Sequence, residues 1–328
     1  MDVSVLDKAE GQDWWIANGD CVDVARGLPD ESVGLTVFSP PFESLYTFSD
    51  HPRDMSNCPD PETFWQHFGF LIEQLYRITK PGRLCAVHCM PLPTSKTRDG
   101  YIGVRDFPGE VIRAFQAHGW IFHSEVVIFK DPVTAMQRTK AIGLLHKQIK
   151  KDSALSRMGL ADYVVVLRKP GDNAEPVEGA FDAYYGDETS VKGPLTTETG
   201  KIRSVNVPGD EWYSVAVWQR YASPVWMDIN QSDVLSHKMA REENDERHIS
   251  PLQLTVIRRC IDLWSNPGDV VFSPFAGIGS ELYCAVQMGR KALGAELKAS
   301  YFRQAIANLQ SIRREETVDL FSSLEAAE

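Results

Sequence analysis

The chain comprises 328 residues, 43% of them hydrophobic and 24% charged, with a formal net charge of -11 at neutral pH. That apolar fraction can fill a large core, which excludes a disordered chain, and no apolar run approaches the roughly 20 residues needed to cross a membrane. The acidic balance works against indiscriminate nucleic-acid binding, because phosphate contacts need lysine and arginine.

The start, Met1-Asp2-Val3-Ser4, lacks a basic, apolar signal, so a cytoplasmic location is expected. Cys21, Cys58, Cys85, Cys89, Cys260 and Cys284 are scattered or sit in apolar runs, the pattern of reduced core thiols. Cys85 and Cys89 flank His88, but on a strand Cys85 and His88 face opposite ways, so no metal site is expected.

In chain order, Trp14 to Ala17 reads as a strand ending at Asn18-Gly19-Asp20. Asp20 either meets a ligand or caps the short helix expected over 21–28. A second apolar strand, Val33 to Phe38, runs into Ser39-Pro40-Pro41-Phe42. Two prolines fix the turn and give up their donors, leaving stiff carbonyl acceptors. With a hydroxyl at one end and an aromatic face at the other, the turn suits a flat ring bearing an amino group, such as a nucleobase. The loop over 43–60 could close over such a base, with Tyr46 and Phe48 available to stack.

Helical spacing of Phe64, Phe68, Leu71, Leu75 and Ile78 predicts a helix from Pro61 to Lys80-Pro81-Gly82. A strand over Leu84–Cys89, a helix over Asp106–His118 and a strand over Ile121–Phe129 continue a strand–helix–strand rhythm, which predicts a parallel sheet. Between Lys130 and Arg157 seven Lys or Arg stand against Asp131 and Asp152, a basic segment on an acidic body. Tyr163 to Leu167 reads as a strand at the sheet edge. Residues 171–225 read as an irregular insertion, and Arg241 to Arg247 as a solvated charged run.

A helix over Pro251–Trp264 and the turn Asn266-Pro267-Gly268-Asp269 lead to a buried strand, Val270 to Phe272. Ser273-Pro274-Phe275-Ala276-Gly277-Ile278-Gly279 then opens a helix at Ser280, and Glu296 ends the following strand. Glycines that let backbone approach a ligand, with an acid about 20 residues on for ribose hydroxyls, describe a nucleoside site. A final helix over Ser300–Arg313 and an acidic tail over 314–328 complete the chain.

The two loops together resemble those of the amino-group DNA methyltransferases, whose catalytic turn is [Asp/Asn/Ser]-Pro-Pro-[Tyr/Phe/Trp] and whose cofactor loop is Asp-Pro-Phe-x-Gly-x-Gly. Catalytic turn first and cofactor loop last resembles the permuted beta subgroup. His248-Ile249-Ser250-Pro251-Leu252-Gln253 and Asn18-Gly19-Asp20 are similar to further family segments, and the resemblance covers roughly 14–168 and 225–312. Ser273 departs from the usual Asp.

The resemblance implies an α/β, Rossmann-like S-adenosylmethionine-dependent methyltransferase fold, circularly permuted, with an inserted target-recognition region. It divides the chain into a catalytic half (12–130), an edge strand with the insertion (131–240), a cofactor half (241–313) and the tail. It implies catalytic roles for Ser39, Pro40, Pro41 and Phe42, and S-adenosylmethionine contacts from Asp20, His248, Ser250, Ser273, Phe275, Ala276, Gly277, Gly279 and Glu296. Target recognition falls to 131–160 and 171–236. Lys130, Arg138, Lys140, Lys147, Lys150 and Lys151 are the expected contacts to double-stranded DNA, with Lys192, Lys201, Arg203 and Arg220 further candidates. A cognate restriction endonuclease is the partner the resemblance allows. The Ser form of the turn favours cytosine N4 over adenine N6, and no Pro-Cys pair exists for carbon-5 chemistry. A non-catalytic DNA-binding relative is the remaining alternative.

Overall fold

The computed structural model describes residues 5–43, 48–133, 146–154, 158–190, 203, 205–206, 208–209, 211–236 and 251–325. Its strands are β1 (Asp7–Gly11), β2 (Trp14–Asn18), β3 (Val33–Phe38), β4 (Thr79–Cys89), β5 (Leu92–Pro93), β6 (Val104–Arg105), β7 (Ile121–Ile128), β8 (Asp162–Arg168), β9 (Val225–Trp226), β10 (Val270–Ser273) and β11 (Lys291–Glu296). The helices used below are α1 (Cys21–Arg26), α2 (Pro61–Ile78), α3 (Lys96–Asp99), α4 (Phe107–Ala117), α5 (His146–Lys151), α6 (Tyr213–Tyr221), α7 (Leu254–Trp264), α8 (Ser280–Gln287) and α9 (Ala299–Glu325).

One sheet carries the fold in the order β1-β2-β11-β10-β3-β4-β8-β7-β9. From β2 to β4 all neighbours are parallel; β8 runs against both β4 and β7. Every residue of β3 is buried, as a parallel strand covered on both faces must be. Side chains alternate between two cores. Leu35, Val37, Val164, Val166 and Val271 face Ile257 of α7, Leu282 of α8 and Phe302 of α9. Val33, Phe38, Val165, Leu167 and Phe272 face Val24 of α1, Phe68 of α2 and Phe115 of α4. All six cysteines are buried free thiols. Among the described residues no helix is long and apolar enough to cross a membrane.

Three expectations are corrected. The strand expected at the sheet edge, β8, lies inside the sheet between β4 and β7. Its run Val164-Val165-Val166-Leu167 is buried throughout, which an edge would not provide. The final helix runs past Arg313 to Glu325, since 314–325 contains neither Gly nor Pro to stop it. The insertion is not irregular throughout: it holds α6 and β9, and β9 extends the sheet beside β7.

The insertion has its own small core of Val205, Tyr213, Ala216, Val217 and Tyr221, joined by Phe181, Tyr184 and Tyr185. Arg259 of α7, fully buried, ties it to the body. It pairs with Asp228 at 2.7 Å and donates to the Tyr185 carbonyl at 2.5 Å. Its guanidinium also lies 4.8 Å from the Tyr221 ring and 5.2 Å from the Trp226 ring. Trp212 and Trp218 stay half exposed, with Arg203 stacked 4.0 Å over Trp212.

Candidate active site at the carboxyl edge of the sheet

β3 and β10 are parallel neighbours, with Leu35 opposite Val271 and Thr36 opposite Phe272. Both strands therefore end at the same edge, and their two loops open side by side. Between these strands successive connections leave in opposite directions along the sheet, which opens the crevice where such sheets bind ligands.

On the β3 side, Pro40 and Pro41 are buried while Ser39 and Phe42 are partly exposed. The Ser39 hydroxyl lies 3.2 Å from His88 Nδ1 and donates to the His88 carbonyl, also at 3.2 Å. The strand register explains the contact: Phe38 pairs with Val87 of β4, so the next residues of each strand meet. His88 Nε2 in turn lies 3.3 Å from Asp162 Oδ2 at the start of β8, and Lys130 Nζ reaches the same oxygen at 2.5 Å. Burial pushes the Asp162 carboxyl up, but the neighbouring His88 and the charge of Lys130 outweigh it and bring the group below its ordinary value.

Phe42 presents its ring to the edge of Phe107, with centroids 5.9 Å apart. Glu43 follows in a left-handed conformation, φ 50°, which is unfavourable for a residue with a side chain. Its buried carboxylate is held by both ends of Arg105, at 2.5 and 2.8 Å, and Arg105 also meets Glu110 at 2.9 Å.

On the β10 side, Gly277 and Gly279 take positive φ angles of 54° and 85°. A Cβ on Gly277 would meet nothing within 4 Å, so the loop leaves open space there. The Gly277 N–H donates to Glu296 Oε2 at 2.7 Å, and the Lys298 N–H to Oε1 at 2.8 Å. Desolvation pushes the Glu296 carboxyl up to about 7. Ser273 Oγ and Ser280 Oγ are buried and make no hydrogen bond within the chain. Glu281, buried beside them in sequence, is pushed by desolvation up to about 8. Orphaned hydroxyls, open space over a glycine and an acid at the next strand end fit the polar parts of a nucleoside ligand. Ala276 is buried with its N–H on the Ala295 carbonyl, and Phe275 packs against Phe38 and Phe68 within the core.

Asp20 caps α1, accepting from Val22 N at 2.9 Å and Asp23 N at 3.2 Å. It also stands at the end of β2, beside β11, because Asn18 pairs with Glu296 and donates to its carbonyl at 2.8 Å. Structure thus brings Ser39 to Phe42, Asp20, Ser273 to Gly279 and Glu296 to one edge. Lys147, Lys150 and Lys151 are exposed on α5. The Lys130 ammonium, expected on a phosphate, has Asp162 as its partner, and Arg220 is buried against Glu188. His248, Ser250, Arg138, Lys140, Lys192, Lys201 and Tyr46 lie outside the described residues.

Sequence reasoning missed His88, Asp162, Glu43 and Arg105. His88 could have been found by aligning the ends of β3 and β4; nothing local signals the other three.

Residues 33–307 match the family described as DNA methylase, N6_N4_Mtase. The chain is 22% identical to the type II methyltransferase M.BglII of Bacillus subtilis over 288 residues, 87% of this chain and 66% of that protein. It is 21% identical to M.BamHI of Bacillus amyloliquefaciens over 285 residues, 85% of this chain and 53% of that protein. It therefore spans between about half and two thirds of these relatives' length. Among solved structures, a Thermus thermophilus protein complexed with S-adenosyl-L-methionine aligns at TM-score 0.57 and 22% identity, covering 88% of this chain and 89% of that one. PvuII DNA methyltransferase, cytosine-N4-specific, aligns at TM-score 0.57 and 14% identity, covering 90% and 86%. At these identities the structural likeness is one of fold.

Proposed function

The chain belongs to the N6/N4 DNA methylase family, and from that premise we propose that it methylates the exocyclic amino group of a DNA base, cytosine N4 in first place. The observation that carries this reading is the pairing of β3 with β10, which sets the Ser39 turn and the glycine loop at one edge.

S-adenosylmethionine, when bound, supplies an electrophilic methyl group on a sulfonium. Gly277 and Gly279 let the loop backbone come close to it, Glu296 accepts from its ribose hydroxyls, and the hydroxyls of Ser273 and Ser280 take its remaining polar groups. An exocyclic amine is a poor nucleophile, because its lone pair is delocalised into the ring. Ser39 Oγ and the Pro40 carbonyl accept the amine hydrogens and draw the nitrogen toward tetrahedral geometry, with Phe42 stacked on the ring. A duplex base must be flipped to reach them, at a cost of a few kcal/mol that stacking partly offsets. The exposed lysines of α5 supply phosphate contacts. The Ser form of the turn resembles the cytosine-N4 members more than the adenine-N6 members, which usually carry Asp, and this supports cytosine; a hydroxyl can accept one amine hydrogen of either base, so adenine N6 is the alternative.

Purified protein incubated with S-adenosylmethionine and unmethylated DNA, followed by nucleoside mass spectrometry, tests the reading. N4-methylcytosine that disappears in Ser39→Ala is expected. N6-methyladenine would refute the base assignment, and absence of any methylated nucleoside would refute the reading.

A further inference from the structure

Ser39, His88 and Asp162 form a continuous polar chain leading away from the catalytic turn into the sheet. Ser39 Oγ stands 3.2 Å from His88 Nδ1, and His88 Nε2 stands 3.3 Å from Asp162 Oδ2. Ser39 follows β3, His88 is on β4 and Asp162 starts β8. His88 is 9% exposed and Asp162 3%, so water does not compete freely for either. Nε2 lies within ion-pair distance of Oδ2 without an aligned hydrogen bond, and Asp162 Oδ1 has no hydrogen-bond partner within the chain, so charge holds the buried pair together.

On the reading of the site given above, we propose that His88 is a positioning residue that accepts, through Ser39, the proton the target amine must lose. An anionic carboxylate beside Nε2 fixes the proton on that nitrogen and leaves the Nδ1 lone pair facing Ser39. Among the described residues, the charged groups in contact with this pair are Asp162 from β8 beside the imidazole and Lys130 just beyond β7, and the Lys130 ammonium on Asp162 keeps that carboxylate ionised.

The step balances as follows in bonds and protons. The amine nitrogen's lone pair forms the new N–C bond to the methyl group, and the S–C bond breaks with its electron pair left on sulfur. The nitrogen then carries one proton too many. That proton passes to Ser39 Oγ as the hydroxyl proton of Ser39 passes to His88 Nδ1, and Asp162 stabilises the resulting imidazolium. Return of the proton to solvent resets the chain. In the resting state the Ser39 hydroxyl has two acceptors, His88 Nδ1 and the His88 carbonyl, at equal distance. Either arrangement leaves an oxygen lone pair for the amine hydrogen, whereas only Nδ1 can take the proton.

Two measurements on the full chain test this. NMR of isotope-labelled histidine reads the His88 tautomer without any turnover; protonated Nε2 with bare Nδ1 is expected, and the reverse tautomer overturns the proposal. Single-turnover methyl transfer is then followed against pH for wild type, His88→Gln and Asp162→Asn, with S-adenosylmethionine affinity measured by calorimetry. His88→Gln should lose on the order of 10²-fold or more in rate, keep its cofactor affinity, and change the dependence of rate on pH. Asp162→Asn should reduce the rate in the same direction. A His88→Gln enzyme with the wild-type pH profile overturns the proposal while leaving the methyltransferase reading intact. A wild-type protein that transfers no methyl group removes both.

Discussion

Arg105 grips Glu43 with both ends of its guanidinium, Nη1 at 2.5 Å from one carboxylate oxygen and Nη2 at 2.8 Å from the other. Glu43 is the residue immediately after the proposed catalytic turn, 5% exposed and at φ 50°, so the clamp holds a strained backbone in place.

Arg105→Ala leaves the Glu43 carboxylate buried and unpaired, at a cost of about 3 kcal/mol. The turn is loosened while the glycine loop, on another strand, is not. We expect a lower Tm and a lower methyl-transfer rate with near-normal S-adenosylmethionine affinity; an equal loss of affinity would contradict this division of labour.

The two loop glycines should separate stability from binding. Gly277→Ala places a Cβ in open space, so it costs only the left-handed backbone, roughly 1–2 kcal/mol, yet fills the space proposed for the cofactor. Gly279→Ala brings a Cβ to 3.1 Å from the Ala305 Cβ in addition to the same backbone cost. Calorimetric melting and cofactor titration should rank Gly279→Ala as the more destabilised protein. Gly277→Ala should lose more affinity per kcal/mol of stability lost.

Glu296 predicts a pH dependence. Its carboxyl, about 7 in the folded chain against 4.5 as its ordinary value, is raised by desolvation. A raised carboxyl contributes stability that is fully present below its unfolded value and lost as pH rises through about 7. If Glu296 accepts from ribose hydroxyls as proposed, they donate to the ionised form, so cofactor affinity should move the opposite way, rising through the same range and levelling above it. Glu296→Gln should flatten the affinity profile; a wild-type affinity that is constant across that range would refute the assignment.

Arg259 is the anchor of the insertion. Arg259→Ala removes the ion-pair partner of Asp228, leaving it the Tyr184 hydroxyl, and the cation enclosed by Tyr221 and Trp226; a broken buried pair costs about 3–5 kcal/mol. Limited proteolysis should then cut within 171–226 well before the sheet. Unchanged resistance there would show that the aromatic core holds without the arginine.

Much of this was legible in one dimension. Proline pairs, glycines and the apolar runs around them act locally, so the Ser39 turn, the Gly277 loop and the helices α2 and α7 could be placed from their own residues. The placement of Glu296 at the end of the strand after the glycine loop was read from spacing alone, and the structure sets its carboxylate on the Gly277 N–H. By contrast β8 was put at the edge because a short valine run carries no sign of which neighbours it will have. The role of Lys130 was misjudged for the same reason, since Asp162 is remote in sequence and joins it only through β7–β8 pairing.

The sequence by itself determined which chemistry-bearing turns exist and that each must end a buried strand, because backbone sterics and hydrophobic periodicity act over a few residues. Tertiary structure decided that β3 lies against β10, that His88 stands opposite Ser39, and that Asp162 stands behind His88. Strand order and register are set by how two cores pack against both faces of the sheet at once, and that is a property of the whole chain.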